Sequence, residues 1–363
     1  MNRNVFAWLA AIGLVLTACG GASPAGEPGA GVAQATAGAP TAQPVVKLPP
    51  PEKTSIKIGL SAQTGIGVLS ALSDQKFGTF KKYGIDVELV PFGSATAASQ
   101  ALIAGQVDAS TNSAGNVIAT VGTQVPLTIV YVRRDNLTDI LVSRPDVKTA
   151  ADLKGKPVGF SSFGSQSHAV VLLALGELGL TDKDVLMNPV GDNSFGLAAL
   201  RAGTLGATTQ KGPLAEKLKA EGFNILVDVA KVKAPGVPTT SLVFPVEFTK
   251  KYPNTVLALV AAEIEGLQNY LNPANRDKLV DIFAQNDNIK PEDARQQLEA
   301  DVNAPWHPLD GRPDPATFEF AKKLLISTNP ALANVDASKA FTTEFVDKLR
   351  DMGFYKQLGI QGY

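Results

Sequence analysis

The chain has 363 residues, of which 45 % are apolar and 18 % charged, and its formal net charge is −1. That length exceeds one ordinary core and fits two lobes, while the charge balance lacks the basic excess that a nucleic-acid partner would require. Two histidines and one cysteine argue against a structural zinc site or an iron–sulfur cluster and rule out a disulfide within the chain, so neither metal nor cofactor is expected.

At the N-terminus, Arg3 precedes an apolar run from Val5 to Leu16. The run is too short for a comfortable membrane span and suits the core of an export signal. It ends in Leu16-Thr17-Ala18-Cys19-Gly20, which resembles the bacterial lipoprotein signal, with residues 1–18 removed and Cys19 lipidated. Residues 19–54 are rich in Ala, Gly, Pro and Thr and have no hydrophobic period. Such a segment cannot bury enough apolar area to offset its ordering entropy, so it reads as a disordered tether. An extracytoplasmic protein held to the membrane by its lipid is the expected location.

The first structured unit opens with a strand at Ile56–Leu60, followed by the polar pair Gln63 and Thr64. Val68, Leu69, Leu72, Phe80 and Tyr83 fall at mostly helical spacing before Gly84, and Ile85, Val87 and Leu89 alternate as a strand should. A second helix pattern runs from Ala95 to Ala104, and a third strand, Val107–Thr111, leads into Asn112 and Ser113. Strand, helix, strand, helix, strand predicts a parallel sheet, which binds ligands beyond the carboxyl ends of its strands. Val125–Val132 reads as a buried strand, Arg133-Arg134-Asp135-Asn136 as a polar turn, and Ile140–Val142 as a further strand.

From Val158 the pattern repeats: a strand, the loop Ser161–Ser167, a helix over 169–178, a strand over 185–189, a helix over 194–202 and a strand over 205–209. The letters repeat as well. Residues 101–111 match residues 199–209 at six of eleven positions, at a constant offset of 98. Two copies of one α/β unit imply two similar lobes with a cleft between them. After Gly236-Val237-Pro238 a strand returns at Ser241–Phe244, and the rest is helical: a stripe from Val256 to Leu271, an Asp314-Pro315 helix start, and a last helix marked by Phe341, Phe345 and Leu349. Crossings near 143–147 and 236–240 divide the chain into a first lobe of 55–145 and 239–363 and a second of 146–238, joined by a two-segment hinge.

The candidate ligand residues are those at the strand ends. Gln63, Thr64, Asn112 and Ser113 come from the first lobe, and Ser161, Ser165, Ser167, His168, Gln210 and Lys211 from the second. They are small and polar, and suit holding a ligand better than breaking one. Ser165 or Ser167 could cap its helix or meet a ligand, and the two roles are compatible because a free helix N-terminus is itself an anion site. Arg133-Arg134 is a further candidate loop of the first lobe, for which a solvated turn is favoured over ligand contact, and His307 reads as an exposed loop residue. Gly164-Ser165-Gln166-Ser167-His168 is not the nucleophile elbow of hydrolases, and no P-loop, dinucleotide fingerprint or metal-ligand spacing is present; no catalytic residue is assigned. At the offset of 98, Asn112 corresponds to Gln210 and Ser113 to Lys211. Lys211 thus carries a positive charge toward the cleft, against which stands a solvated, outward Lys211. The proposed loops are acidic only at Asp192 and, beyond the arginines, Asp135, so a small anion is the expected ligand.

Several runs together resemble the extracytoplasmic binding proteins of ABC importers, in the nitrate, sulfonate, taurine and thiamine-pyrimidine-precursor group. They are Lys81–Val90, Ala101–Asp108, Ala151–Gly159 and Phe248–Pro253, in the family's order over residues 56 to about 272. The resemblance implies a type II periplasmic-binding-protein fold, α/β, with each lobe a mainly parallel sheet flanked by helices. It implies a monomer that passes a small-molecule solute to a permease and its ATPase subunits. It also brings in the alternatives of a same-fold enzyme acting on a pyrimidine and of a binder of a neutral heterocycle. The chain departs from the family's pattern at Gly206, where an acidic residue is usual, at Gln210-Lys211, where an aromatic–acidic pair is common, and at Ser61–Thr64, where pyrimidine binders carry an aromatic, proline-rich loop.

Overall fold

The computed structural model describes residues 46–305 and 307–363; the export signal, Cys19 and most of the expected tether lie outside the described residues. Ten strands follow in chain order: β1 (Ser55–Leu60), β2 (Asp86–Pro91), β3 (Ala109–Asn112), β4 (Leu127–Arg134), β5 (Asp139–Ser143), β6 (Pro157–Phe160), β7 (Leu186–Pro189), β8 (Ala207–Lys211), β9 (Asn224–Asp228) and β10 (Thr240–Pro245). They sort into two five-stranded sheets, ordered β2-β1-β3-β10-β4 and β7-β6-β8-β5-β9. Four strands of each sheet run in one direction, and the fifth, β10 or β5, is inserted antiparallel next to the edge strand β4 or β9. The internal repeat is therefore structural. Ile58 and Gly59 pair with Ala109 and Ser110 in one sheet, as Val158 and Gly159 pair with Ala207 and Thr208 in the other.

Three expectations are corrected. β5 belongs to the second sheet, between β8 and β9, so the chain crosses at 135–138 and not at 143–147. A fully buried strand reads the same in either sheet, because it lacks the alternation that would report which face is covered. Arg133 and Arg134 are not a solvated turn: they complete β4 and are 3 % and 5 % exposed. Residues 46–54 are not free tether. Val46 and Leu48 pack against the first lobe's core, and the Glu52 carboxylate accepts from Asn254 N (3.0 Å) and Thr255 N (2.8 Å) at the start of helix Pro253–Leu271. Burial alone would raise the Glu52 carboxyl, but these donors hold it below its ordinary value.

The two crossing segments lie against each other. Thr239 N donates to Arg134 O at 2.9 Å, and a Cβ on Gly236 would fall 2.5 Å from Asp135 O; only glycine permits that approach. Helix Pro315–Leu325 adds a second link. Its Phe318, Ala321 and Leu325 share one apolar cluster with Val117 and Ile118 of helix Ala114–Gly122 and with Val170 and Val171 of helix Gln166–Glu177, so the core runs continuously from one lobe to the other.

Beneath the first sheet, Arg133 Nη1 lies 2.6 Å from Asp74 Oδ2 and 3.0 Å from Glu263 Oε2, all three side chains being buried. Two carboxylates on one guanidinium leave a negative charge in excess. Burial, opposed by Arg133 and reinforced by the Glu263 charge, pushes the Asp74 carboxyl up to about 8. The folded protein then keeps a proton that the unfolded chain releases near the ordinary aspartate value. This contribution to stability is complete below about pH 4 and is lost as pH rises toward about 8. We expect the wild-type urea midpoint to fall over that range relative to Asp74→Asn; parallel profiles would contradict the shared proton. Arg133→Ala, which strands both acids, should cost about 3–5 kcal/mol in the same assay.

Candidate functional site

The parallel strands of both sheets end at one cleft of about 530 Å³ between the lobes, within the range of small-molecule sites. Helix N-termini converge on it because each crossover helix begins where its strand ends: Ile66–Lys76, Ala95–Ile103 and Ala114–Gly122 from the first lobe, Gln166–Glu177 and Asn193–Arg201 from the second. Thr64, Ser113, Ser161, Ser165, Ser167, Gln210 and Lys211 line the cleft, as the strand-end positions suggest. Gln63, Asn112 and His168 do not. Gln63 is exposed. Asn112 is buried behind the cleft, with its Nδ2 donating to Ala95 O (3.0 Å) and Ser99 Oγ (2.8 Å) and its Oδ1 accepting from Ser113 N (3.0 Å). Its role is to hold the loop that presents Ser113.

The lobes touch across the cleft. Ser113 Oγ donates to Gly164 O at 3.0 Å, and a Cβ on Gly115 would lie 2.7 Å from that same carbonyl oxygen. On the second-lobe side, the Ser161, Ser165 and Ser167 hydroxyls form a triangle with Oγ–Oγ distances of 2.9, 2.8 and 3.1 Å. Ser165 Oγ also caps its helix by accepting from His168 N (3.2 Å), and Ser167 Oγ accepts from Ser161 N (2.8 Å). With those lone pairs committed, the triangle can serve a ligand chiefly by turning a hydroxyl hydrogen outward. It is a donor site, matched to an acceptor group.

The charges differ from the sequence reading. Lys211 does reach the cleft, but its Nζ lies 3.0 Å from Oδ1 of buried Asp139, its register neighbour on β5. Its charge is thus compensated, where the sequence suggested a free ammonium. Arg134 also lines the cleft and is paired with Asp301. Asp301 in turn accepts from Tyr270 Oη (2.8 Å) and lies 3.2 Å from His307 Nε2. Burial alone would raise the Asp301 carboxyl, but Arg134 and the hydrogen bonds hold it well below the carboxylate range. His307, expected as an exposed loop residue, is therefore part of this buried network, its side chain 4 % exposed. Arg133 is turned to the Asp74–Glu263 pair and is absent from the cleft lining.

Sequence reasoning missed Asp287, Ile289 and Gln297, which the helices Arg276–Asp287 and Pro291–Val302 and their connection bring to the rim. It also missed Thr239 and Thr240 at the crossing. The tail carries an amphipathic signal but none that says where its helices dock.

His168 Nδ1 accepts from Gly164 N at 3.0 Å, and the ring stacks on Phe160 with centroids 4.8 Å apart. The proton of the neutral ring is thereby placed on Nε2. Burial pushes the imidazole down to about 4. The ring should therefore stay neutral at physiological pH, and its stabilising effect should be complete above about pH 6.5 and lost as pH falls toward about 4. The His168 ring-proton resonances, assigned by comparison with His168→Gln, are expected to stay flat between about pH 5.5 and 8. A transition near the ordinary histidine value would contradict this placement.

A family model described as the NMT1-like family matches residues 49–284. No curated protein sequence matches the chain. Among solved structures, a protein of Bordetella bronchiseptica RB50 superposes with a TM-score of 0.71 at 24 % identity, covering 85 % of this chain and 99 % of that one. The alkanesulfonate-binding protein SsuA from Xanthomonas axonopodis pv. citri, bound to MOPS, gives 0.66 at 17 % identity, with 80 % and 99 % covered. The periplasmic nitrate-binding protein NrtA from Synechocystis PCC 6803 gives 0.66 at 13 % identity, with 85 % and 90 % covered. At such identities the likeness establishes the fold, the two-lobed periplasmic-binding-protein architecture. Because the family match spans more than half of its length, the chain belongs to the NMT1-like family.

Proposed function

We propose that the protein is the solute-binding component of an ABC importer, which captures a small organic solute between its lobes and delivers it to a membrane permease. The observation that carries this reading is the cleft itself, a space built from the strand ends and helix starts of both lobes, with polar side chains of both set into a partly apolar wall. Helix N-termini contribute about 0.3–1 kcal/mol each and up to about 2 when partly buried, whereas micromolar affinity requires about 8 kcal/mol. Side-chain hydrogen bonds in a closed cleft therefore have to supply most of the affinity, and the serine triangle offers them to an oxyanion. A sulfonate, carboxylate or nitrate-like group suits that donor site, and the names of the Xanthomonas and Synechocystis proteins agree with such a choice.

A fold of this kind does not by itself separate binding from catalysis. The side chains favour binding. His168, the histidine next to the cleft serines, is buried and has Nδ1 engaged by Gly164 N, so it is poorly placed to take a proton from Ser165 or Ser167. In this reading the mature protein is extracytoplasmic and held to the membrane through Cys19.

Mass spectrometry of solute co-purified from the producing cell should find an intact small molecule that rebinds the stripped protein unchanged. Turnover of that molecule by the purified protein would contradict the binding reading. Cys19→Ala should move the protein from the membrane to the soluble fraction, and identical fractionation of the two forms would remove the lipid anchor.

A further inference from the structure

Asn112 and His168 lie outside the cleft lining, yet both are buried. Both bear on the Ser113–Gly164 hydrogen bond, which passes from one lobe to the other. On the first-lobe side, Asn112 Oδ1 accepts from Ser113 N, and its Nδ2 is fixed by Ala95 O and Ser99 Oγ. Ser99 Oγ donates onward to Asn116 Oδ1 at 2.6 Å, and Asn116 N donates to Ser113 Oγ at 3.4 Å. Because Ser113 Oγ accepts there as the cap of helix Ala114–Gly122, its own hydrogen is left to point at Gly164 O.

On the second-lobe side, Gly164 has a φ of 78°, in the left-handed region that favours glycine. Its N–H is held by His168 Nδ1 at 3.0 Å, and its C=O is the group that Ser113 meets. The His168 ring is itself held by two others, stacked on Phe160 and edge-on to Phe163 with centroids 5.1 Å apart. A Cβ on Gly164 would lie 3.2 Å from Asn116 Cα, so backbone of one lobe rests against backbone of the other. At the rim formed by the tail helices the contact differs: Asp287 Oδ2 accepts from Gly65 N at 2.7 Å, within the first lobe.

We infer that the Ser113–Gly164 bond is a latch between the lobes, and that Asn112 and His168 are positioning residues that aim its donor and its acceptor. The latch is made by protein groups alone, so it favours the closed arrangement with or without a solute. At 3.0 Å it is lost within about 0.5 Å of further separation, and any rotation of one lobe against the other strains it. Its value for retaining a solute rests on the solute-binding reading; the latch itself does not.

The test is the distance distribution between two spin labels, measured by double electron–electron resonance on the stripped protein. The full chain carries Cys19→Ala, which removes its single cysteine. Labels are attached through Lys183→Cys in the second lobe and Lys290→Cys in the first, both at exposed positions. This parent is expected to show a population at the lobe separation of the structure. Ser113→Ala, which removes the crossing donor, should lower the ratio of closed to open forms at least about fivefold. His168→Phe, which keeps a ring to stack but no acceptor, should do the same. His168→Asn loses the ring, but its Oδ1 can accept from Gly164 N in place of Nδ1, and it should restore the ratio to within about twofold of the parent. That rescue separates aiming of the acceptor from mere packing, and circular dichroism melts verify folding. Should His168→Phe fail to fold, Ser113→Ala is compared with Ser113→Thr, which keeps the hydroxyl and should keep the closed population. A parent with no closed population, a ratio unchanged by Ser113→Ala or by a folded His168→Phe, or a hydroxyl or asparagine variant no better than its counterpart overturns the latch. The readout needs no solute, so the latch can fail while the solute-binding reading stands. A latched protein that binds no solute would overturn that reading alone.

Discussion

Everything about the cleft depends on how the chain passes between its two sheets. Each sheet is completed by one antiparallel strand that enters directly from a crossing, β5 after β4 and β10 after β9. Antiparallel insertion leaves the carboxyl ends of β1, β3, β6 and β8 on the same side as the crossings, so the loops after both sets of parallel strands must meet. The contact between the crossing segments, sealed by Thr239 N on Arg134 O and by the absence of a side chain at Gly236, sets how the sheets face each other. Hinged closure of such a pair is a known class of motion. Here the apolar cluster shared through Phe318, Ala321 and Leu325 adds a packed joint to the two covalent ones.

Behind that geometry stands a layer of buried charge. Arg133 and Arg134 are adjacent on β4, and the pleat sends their side chains to opposite faces. One faces Asp74 and Glu263; the other faces Asp301 at the edge of the cleft. Such buried networks are costly to assemble and, once assembled, strongly disfavour the loss of any one partner. They link helices Ile66–Lys76, Pro253–Leu271 and Pro291–Val302 to a single strand end. The first-lobe wall of the cleft is therefore held by charge as well as by apolar packing, and its cations are spoken for before a ligand arrives.

Much of the architecture was legible in the sequence because it repeats. The offset of 98 located equivalent third strands, and of the residues at their ends Ser113, Gln210 and Lys211 line the cleft while Asn112 does not. Periodicity could not place β5, since Ile140, Leu141 and Val142 are buried on both faces and match either sheet. Nor could it see the partners of a charge. Lys211 and Arg133-Arg134 read as solvated or ligand-facing because Asp139, Asp74, Glu263 and Asp301 come from distant positions in the chain. For Asp287 no local signal exists; its place in the site follows from where a tail helix docks. Gln63, Asn112 and His168 were assigned from proximity in sequence; Gln63 is exposed in the loop between β1 and the first helix, Asn112 is the buried last residue of β3, and the first turn of its helix takes His168 away from the cleft.

The central claim is that one cleft, served by both lobes, holds a solute. A crystal structure of the protein with its co-purified solute tests it most directly. The account predicts density between the Ser161–Ser167 loop and the Gly65–Asp287 contact, touching side chains of both lobes, with the Ser113–Gly164 bond kept. Solute bound outside this cleft, or held by one lobe alone with the cleft empty, would contradict it.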